Sequence, residues 1–586
     1  MSTGRTAAVW QNEVEVGEAL TIRRRTADTI ISAACIACQG TTGVVMSIED
    51  PIVGLDAAVQ PAAAAAGPRS RRTLKIATAV VGSLLVIGGF AVWRFVSGFG
   101  SATDSASAIP ADADFYVNLD LATFLDREQM QQIARTFPDL VNDAEASGDI
   151  LAELDRRLDD ELGITFSHDI SPWLGRSAAI AGWGFDVQIG EPEHVLFVVT
   201  VRDGDAADQT LERIALAGGG GTIGFHEEVA IWEITLEGEA RYAARADDVL
   251  LIGESSESVD VGIETTLGLT DSLQQNPNFI ESLASLPEGP GNVMVYAAGS
   301  LWDQISERSL YTLGASTPFT DMGQLESVIA AFALSDDGVR IDGSAAMDPE
   351  LASFYMNDRI DEAIKFVPTD AMFLLAADYE PVMDSYRELL GAPDAMEAAD
   401  WESELGFNPI TEGLDLLDGR FTVYGVPGRT PAVDGGFDLG VAGVLGLTDP
   451  TRMNATLDKI EDLITNDGSG VERVGDLRYI DVFGGPEVAF GVTGDRLTLA
   501  WNTDPTADAA GARVTENTRY RQLADSLGGD LSLFVDIPTV VDAFGGAMDT
   551  EPAGAFAAIG GVGATWTSTD EGIVTGSMMV LIDWAG

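Results

Sequence analysis

Lysine is almost missing from this chain: it occurs only at Lys75, Lys365 and Lys459. Lysine and arginine together number 33 against 93 acids, for a net charge of −60 over 586 residues. A surface so acidic repels DNA, RNA and anionic lipid, which argues against a nucleic-acid partner. Histidine is nearly as scarce. His168, His194 and His226 are the whole supply, and none has an HxxxH or HExxH partner, so no metal site is expected. The two cysteines, Cys35 and Cys38, precede the longest apolar run, so nothing after it can form a disulfide. Their CxxC spacing lacks the second ligand pair that zinc needs. No G-x-S-x-G elbow nominates a serine nucleophile. The glycine run Gly218–Gly221 follows a helical pattern where a phosphate cradle would precede one, so it reads as a helix C-cap and turn. No catalytic, cofactor-binding or metal residue is assigned, and no cofactor is expected.

What is present is a long apolar run and a long repeat. Leu74 to Val92 is apolar except for Lys75, Thr78 and Ser83, close to the roughly 20 residues that cross a bilayer. Arg69, Arg71 and Arg72 precede it and only Arg94 follows closely. The positive-inside rule then puts the N-terminus in the cytoplasm and everything after Ser101 outside the cell. A cleaved signal peptide is the rival reading; the span is long for one, and Gly98 to Ala102 makes a weak cleavage site.

The acidic part is written twice. Ile109-Pro110-Ala111-Asp112-Ala113 leads into Phe115–Asp120, and Val367-Pro368-Thr369-Asp370-Ala371 leads into Phe373–Asp378. Leu174-Gly175-Arg176 answers Leu417-Asp418-Gly419-Arg420, and Asp336-Asp337-Gly338 answers Asp570-Glu571-Gly572. The offset drifts from about 258 positions to about 234, as duplication followed by loop trimming would give. Within each copy, short apolar runs give strands. Met453, Leu457, Ile460 and Ile464 give an amphipathic helix over about 450–465. Asp337-Gly338 between two apolar runs gives a hairpin.

The expected fold class is therefore α+β: two tandem repeated domains with antiparallel sheets and packed helices, behind one N-terminal transmembrane helix. The expected boundaries are a disordered cytoplasmic segment over 1–73, a transmembrane helix over 74–96 and a flexible linker over 97–108. The first repeat covers 109–348 and the second 349–586. Met46 resembles a native start, so residues 1–45 read as a mis-assigned extension.

The opening of the repeat, Ile109 to Val117 with its recurrence at Val367–Ala371, resembles the bacterial domain-of-unknown-function family three-three-five-two. The resemblance implies one membrane anchor and a large extracytoplasmic region. That family has no established activity, so it assigns no residue here.

Two roles stay open. The first is a non-enzymatic one in binding, interaction or envelope maintenance, with a hydrophobic ligand or a protein as partner. The alternative is an extracytoplasmic hydrolase whose site assembles from scattered residues. The acidic loops Asp203-Gly204-Asp205 and Asp415–Gly419 have oxygens suited to weak calcium binding, though neither matches an EF-hand. The charge also makes a direct prediction. The Debye length shrinks from roughly 30 Å at 0.01 M salt to about 3 Å at 1 M. The melting temperature should rise steadily with sodium chloride; a flat profile would mean that the acids are compensated locally.

Overall fold

The computed structural model describes residues 104–121 and, with gaps, 155–583; the longer gaps are 122–154, 302–324, 379–414, 429–438 and 545–557. All described residues belong to one of the chain's two units, Arg72–Gly586; the other is Met1–Arg71. The expected disordered segment and transmembrane helix, and the start at Met46, lie outside the described residues. Among the described residues no helix is long and apolar enough to cross a membrane.

The first run of elements is β1 (Phe115–Asp120), β2 (Leu174–Asp186), β3 (Glu191–Val201), α1 (Gly204–Ala217), β4 (Gly221–His226), β5 (Val229–Leu236), β6 (Glu239–Ala246), β7 (Val249–Gly253), α2 (Ser256–Thr266), α3 (Pro277–Ala284), β8 (Val293–Ala298), β9 (Leu325–Ser335) and β10 (Gly338–Met347). The second is α4 (Ile360–Ile364), β11 (Phe373–Asp378), β12 (Leu417–Pro427), β13 (Leu439–Leu447), α5 (Pro450–Asn466), β14 (Val471–Val474), β15 (Leu477–Asp481), β16 (Glu487–Thr493), β17 (Arg496–Trp501), α6 (Thr518–Leu527), β18 (Leu533–Val535), α7 (Ile537–Phe544), β19 (Ile559–Ser568) and β20 (Ile573–Ile582).

The pairings repeat. β1 lies between β2 and β8, and β11 between β12 and β18. β3 lies between β2 and β7, and β13 between β12 and β17. α1 and α5 each leave the equivalent strand, β3 and β13. Details repeat too. Pro110 bridges Ser272 and Pro368 bridges Arg513. Gly182 lies against the Phe115 ring, where a Cβ would come within 2.3 Å, and Gly425 lies against Phe373 at 2.2 Å. Any larger residue at either position would displace an aromatic ring.

Asn276 and Asn517 show how closely the halves agree. Each caps a helix, Asn276 accepting from the Phe279 amide and Asn517 from the Arg519 and Tyr520 amides. Each also ties that helix to the opening of its repeat, Asn276 Nδ2 donating to Ala111 O at 2.7 Å and Asn517 Nδ2 to Thr369 O at 3.0 Å. A cap is worth about 1 kcal/mol and the tether about as much again. Asn276→Ala and Asn517→Ala should each cost about 2 kcal/mol in thermal melts. A cost confined to one half would break the equivalence.

The proportions differ from the α+β expectation. Strands dominate, and one antiparallel sheet runs through both runs where one sheet per repeat was expected. The cause is the pairing of β10 with β20, from Gly338–Leu581 to Ala346–Ile573. Each run ends in a hairpin whose last strand has an open edge. Joining the two edges satisfies both rows of backbone groups. The strand order is β4-β5-β6-β7-β3-β2-β1-β8-β9-β10-β20-β19-β18-β11-β12-β13-β17-β16-β15-β14. Read from either end, it passes through the same connections. The stretch read as a linker also needs correction at its end. Asp104–Ala108 forms a 3-10 helix in which Ser105, Ala106 and Ala108 are buried, because Ser105 anchors a polar network under β1.

Candidate functional site

The three histidines do not converge. His168 Nδ1 is 3.0 Å from Ser167 Oγ, and that hydroxyl donates to Asp155 Oδ2 at 2.7 Å. In a catalytic triad the carboxylate must hold the histidine, whereas here it holds the serine. The adjoining cavity of about 460 Å³ is lined by Asp169, Trp173, Thr210 and Arg213. The Thr165 amide holds the Asp169 carboxyl below its usual range, against opposing burial and with help from Arg213. Asp169 is therefore a fixed anion and a poor proton carrier. His194 stacks on Trp183, with ring centroids 5.4 Å apart, and reaches Ser258 Oγ at 3.4 Å. His226 sits between two carboxylates of α2, with Nε2 2.9 Å from Glu264 and Nδ1 3.5 Å from Asp260. Burial pushes Asp260 up, with His226 opposing. No group of His, Cys, Asp or Glu suited to a metal ion occurs among the described residues.

The residues read as calcium-like have other partners. Asp203 Oδ1 accepts from the Ala206 amide, so this carboxylate opens α1; Asp449, which lies outside those acidic loops, accepts from the Arg452 amide at the start of α5. Asp418 is bound by Arg420. The glycine run does follow a helix: the Gly220 amide donates to Ala215 O. Among the tyrosines, burial pushes Tyr296 up to about 12 and Tyr116 higher still, so both phenols stay neutral. They pack edge-on against Phe279, with centroids 5.1 and 5.9 Å away.

The larger feature is the sheet itself. Opposed residues in an antiparallel pair share a face, so the register carries one face across many strands. One row runs Leu499–Gly443–Val423–Leu375–Leu533–Ala564 through the second half. It crosses the junction as Met578–Ile341 and continues Phe332–Val293–Leu119–Ala178–Val199–Leu250. A second row runs Trp566–Gly576–Gly343–Ala330–Val295–Val117–Ile180–Phe197–Ile252. Neither row contains a polar side chain.

The opposite face is polar in places and buried. Asn118, Ser177, Asp342, Thr422 and Ser577 are all on it, each at most 6% exposed. They are paired internally: Ser105 Oγ meets Tyr116, Asn118 and Ser177 at 2.8–2.9 Å, and Thr422 donates to Ala363 O at 2.8 Å. α2 and α6 cover this face, burying Val259, Ile263, Tyr520 and Leu523.

The aliphatic face is covered differently. α1 packs Ala207, Leu211 and Ala215 at its β3–β7 end, and α5 packs Met453 and Leu457 at its β16–β17 end. Between them Val117, Val295, Phe332, Ile341, Met578, Leu375 and Val423 stay half-buried. Leu499 and Trp501 are 38% and 42% exposed. Among the described residues this is an apolar surface without convergent titratable groups.

No curated protein matches the chain. Two solved structures that it resembles are crystal forms III and I of TP0453. The first is 10% identical with a TM-score of 0.23, covering 42% of this chain and 81% of that one. The second is 11% identical with a TM-score of 0.22, covering 42% and 80%. The model of a family described as "Protein of unknown function (DUF3352)" matches residues 76–475, about two thirds of the sequence, and the chain belongs to that family.

Proposed function

We propose that this is a single-pass membrane protein in which Leu74–Val92 crosses the bilayer, the N-terminus is cytoplasmic and the acidic part lies outside the cell. The acidic part is two tandem copies of one unit, 109–348 and 349–586, fused through β10 and β20. Its role is non-enzymatic binding in the cell envelope, and its ligand is hydrophobic. One observation carries this reading: the unbroken aliphatic rows from Leu250 to Leu499, half-buried at their centre. Water is a poor neighbour for such a surface, at roughly 25 cal/mol per Å² of apolar area. An acyl chain lying across it would remove that area without needing a polar partner from the protein.

The test is photolabelling in native membranes with a diazirine-bearing fatty acid, followed by mapping of the labelled peptides. Labels should fall on β1, β8, β11 and β12 at aliphatic-face positions such as Val117, Val295, Leu375 and Val423. Labelling confined to Leu74–Val92 would leave only a membrane anchor and sink the ligand reading.

A further inference from the structure

The two halves of the chain differ where the first one begins. The Ala111 amide donates to Asp271 O at 3.0 Å, Pro110 bridges Ser272, and the Leu273 amide donates to Ile109 O at 2.8 Å. The connection from α2 to α3 is thereby clasped against the opening of the first repeat. Three large apolar side chains stand out from it. Leu267 is 37% exposed, Leu269 59%, and Ile280, at the start of α3, 49%. The backbone under the first two is fixed by a Schellman motif that ends α2. Gly268 is left-handed at φ 69°, its amide donates to Thr265 O at 3.0 Å, and the Leu269 amide donates to Glu264 O at 2.9 Å. Such a motif commonly folds the side chain at the position of Leu269 back onto its helix. Here that side chain is held in solvent.

Single apolar residues on a surface are ordinary. The duplication supplies the comparison that sets these three apart. Ser272 and Asn276 answer Arg513 and Asn517 with no gap between them, and buried Phe279 answers buried Tyr520. On that alignment Leu267, Leu269 and Ile280 stand where the second copy has Asp508, Ala510 and Arg521. What separates the copies is their distance along the chain from the apolar run. Asp104 follows Val92 by about a dozen residues, a stretch of at most roughly 40 Å when fully extended. Asp104–Ala108 then leads straight into Ile109 and the clasp.

We propose that this corner of the first repeat docks on the outer leaflet, with Leu267, Leu269 and Ile280 entering the headgroup region of zwitterionic lipid. The proposal rests on the single-pass anchor proposed above and not on the ligand of the aliphatic face. Asp271 and Glu281, exposed on the same stretch, are repelled by anionic headgroups, so a neutral lipid surface is the fitting partner. Three side chains hold a bilayer weakly by themselves. The anchor makes the contact intramolecular, so weak attraction is enough to keep the corner down.

The test uses the full chain with Cys35→Ser and Cys38→Ser, in phosphatidylcholine nanodiscs. One fluorophore is attached at Leu269→Cys, Ile280→Cys, Arg521→Cys or Leu84→Cys, and some of the lipid carries a nitroxide on its headgroup or its acyl chain. Each labelled protein should melt at the temperature of its parent. Headgroup nitroxide should quench the labels at Leu269 and Ile280 at least ~3-fold more than the label at Arg521, as expected of side chains about 5–10 Å into the interface. Acyl-chain nitroxide should quench the label at Leu84. Labels at Leu269 and Ile280 quenched no more than the one at Arg521, with Leu84 quenched, would overturn the docking and leave the anchor standing. An unquenched label at Leu84 would overturn both.

Discussion

Asp342→Ala should cost the folded protein about 3 kcal/mol, because it takes a buried carboxylate from half-buried Arg340 at the β10–β20 junction and leaves that arginine only the exposed Glu288, at 3.6 Å. Asp342 is 1% exposed. Both its oxygens accept from Arg340 Nε at 3.0 Å, and Oδ1 accepts from Ser577 Oγ at 2.5 Å. Arg340 also donates to Ser526 O of α6 at 3.0 Å. Three segments meet there, β10 from the first half of the chain and β20 and α6 from the second. Beyond the loss of stability, urea unfolding should broaden or split, since the β10–β20 junction is what makes the halves unfold together. Asp342→Asn keeps one acceptor oxygen and should lose less. A sharp single transition in Asp342→Ala, shifted by under ~1 kcal/mol, would mean that the junction is held by the backbone ladder alone.

Val117→Asp should abolish hydrophobic ligand retention. Val117 lies near the middle of the second aliphatic row, opposite Ile180 and Val295. Among the described residues, neither of the two rows offers a carboxylate there a polar side chain to pair with. Covering it with an acyl chain would cost several kcal/mol, so the variant should keep its far-UV circular dichroism yet hold at least ~10-fold less ligand. Val117→Ala removes two methyl groups and no compatibility, and should retain most of it. If both variants behave alike, the face is ordinary core, closed by the protein itself.

Much of the fold is legible in local pattern. The bounds of β1 and β11 follow from their apolar runs, α5 from the spacing of Met453, Leu457, Ile460 and Ile464, and the β9–β10 hairpin from Asp337-Gly338. The single sheet is not legible, because nothing near Gly338–Met347 or Ile573–Ile582 says that these strands pair with each other. Which face is buried is misleading as well as hidden. Asn118, Asp342 and Ser577 look like solvent positions, and their alternation with Val117, Ile341 and Met578 suggests an aliphatic core under a polar surface. The structure reverses this, because the polar side chains satisfy one another beneath helices.

The central claim is that the aliphatic face holds a hydrophobic molecule, and solvent extraction of the purified protein tests it most directly. The protein would be purified from its native membranes, extracted with chloroform and methanol, and the extract quantified by mass spectrometry beside the same preparation of Val117→Asp. The account predicts about one or more acyl-bearing molecules per wild-type chain, depleted at least ~10-fold in Val117→Asp. Equal amounts from both proteins, or none from either, would contradict it.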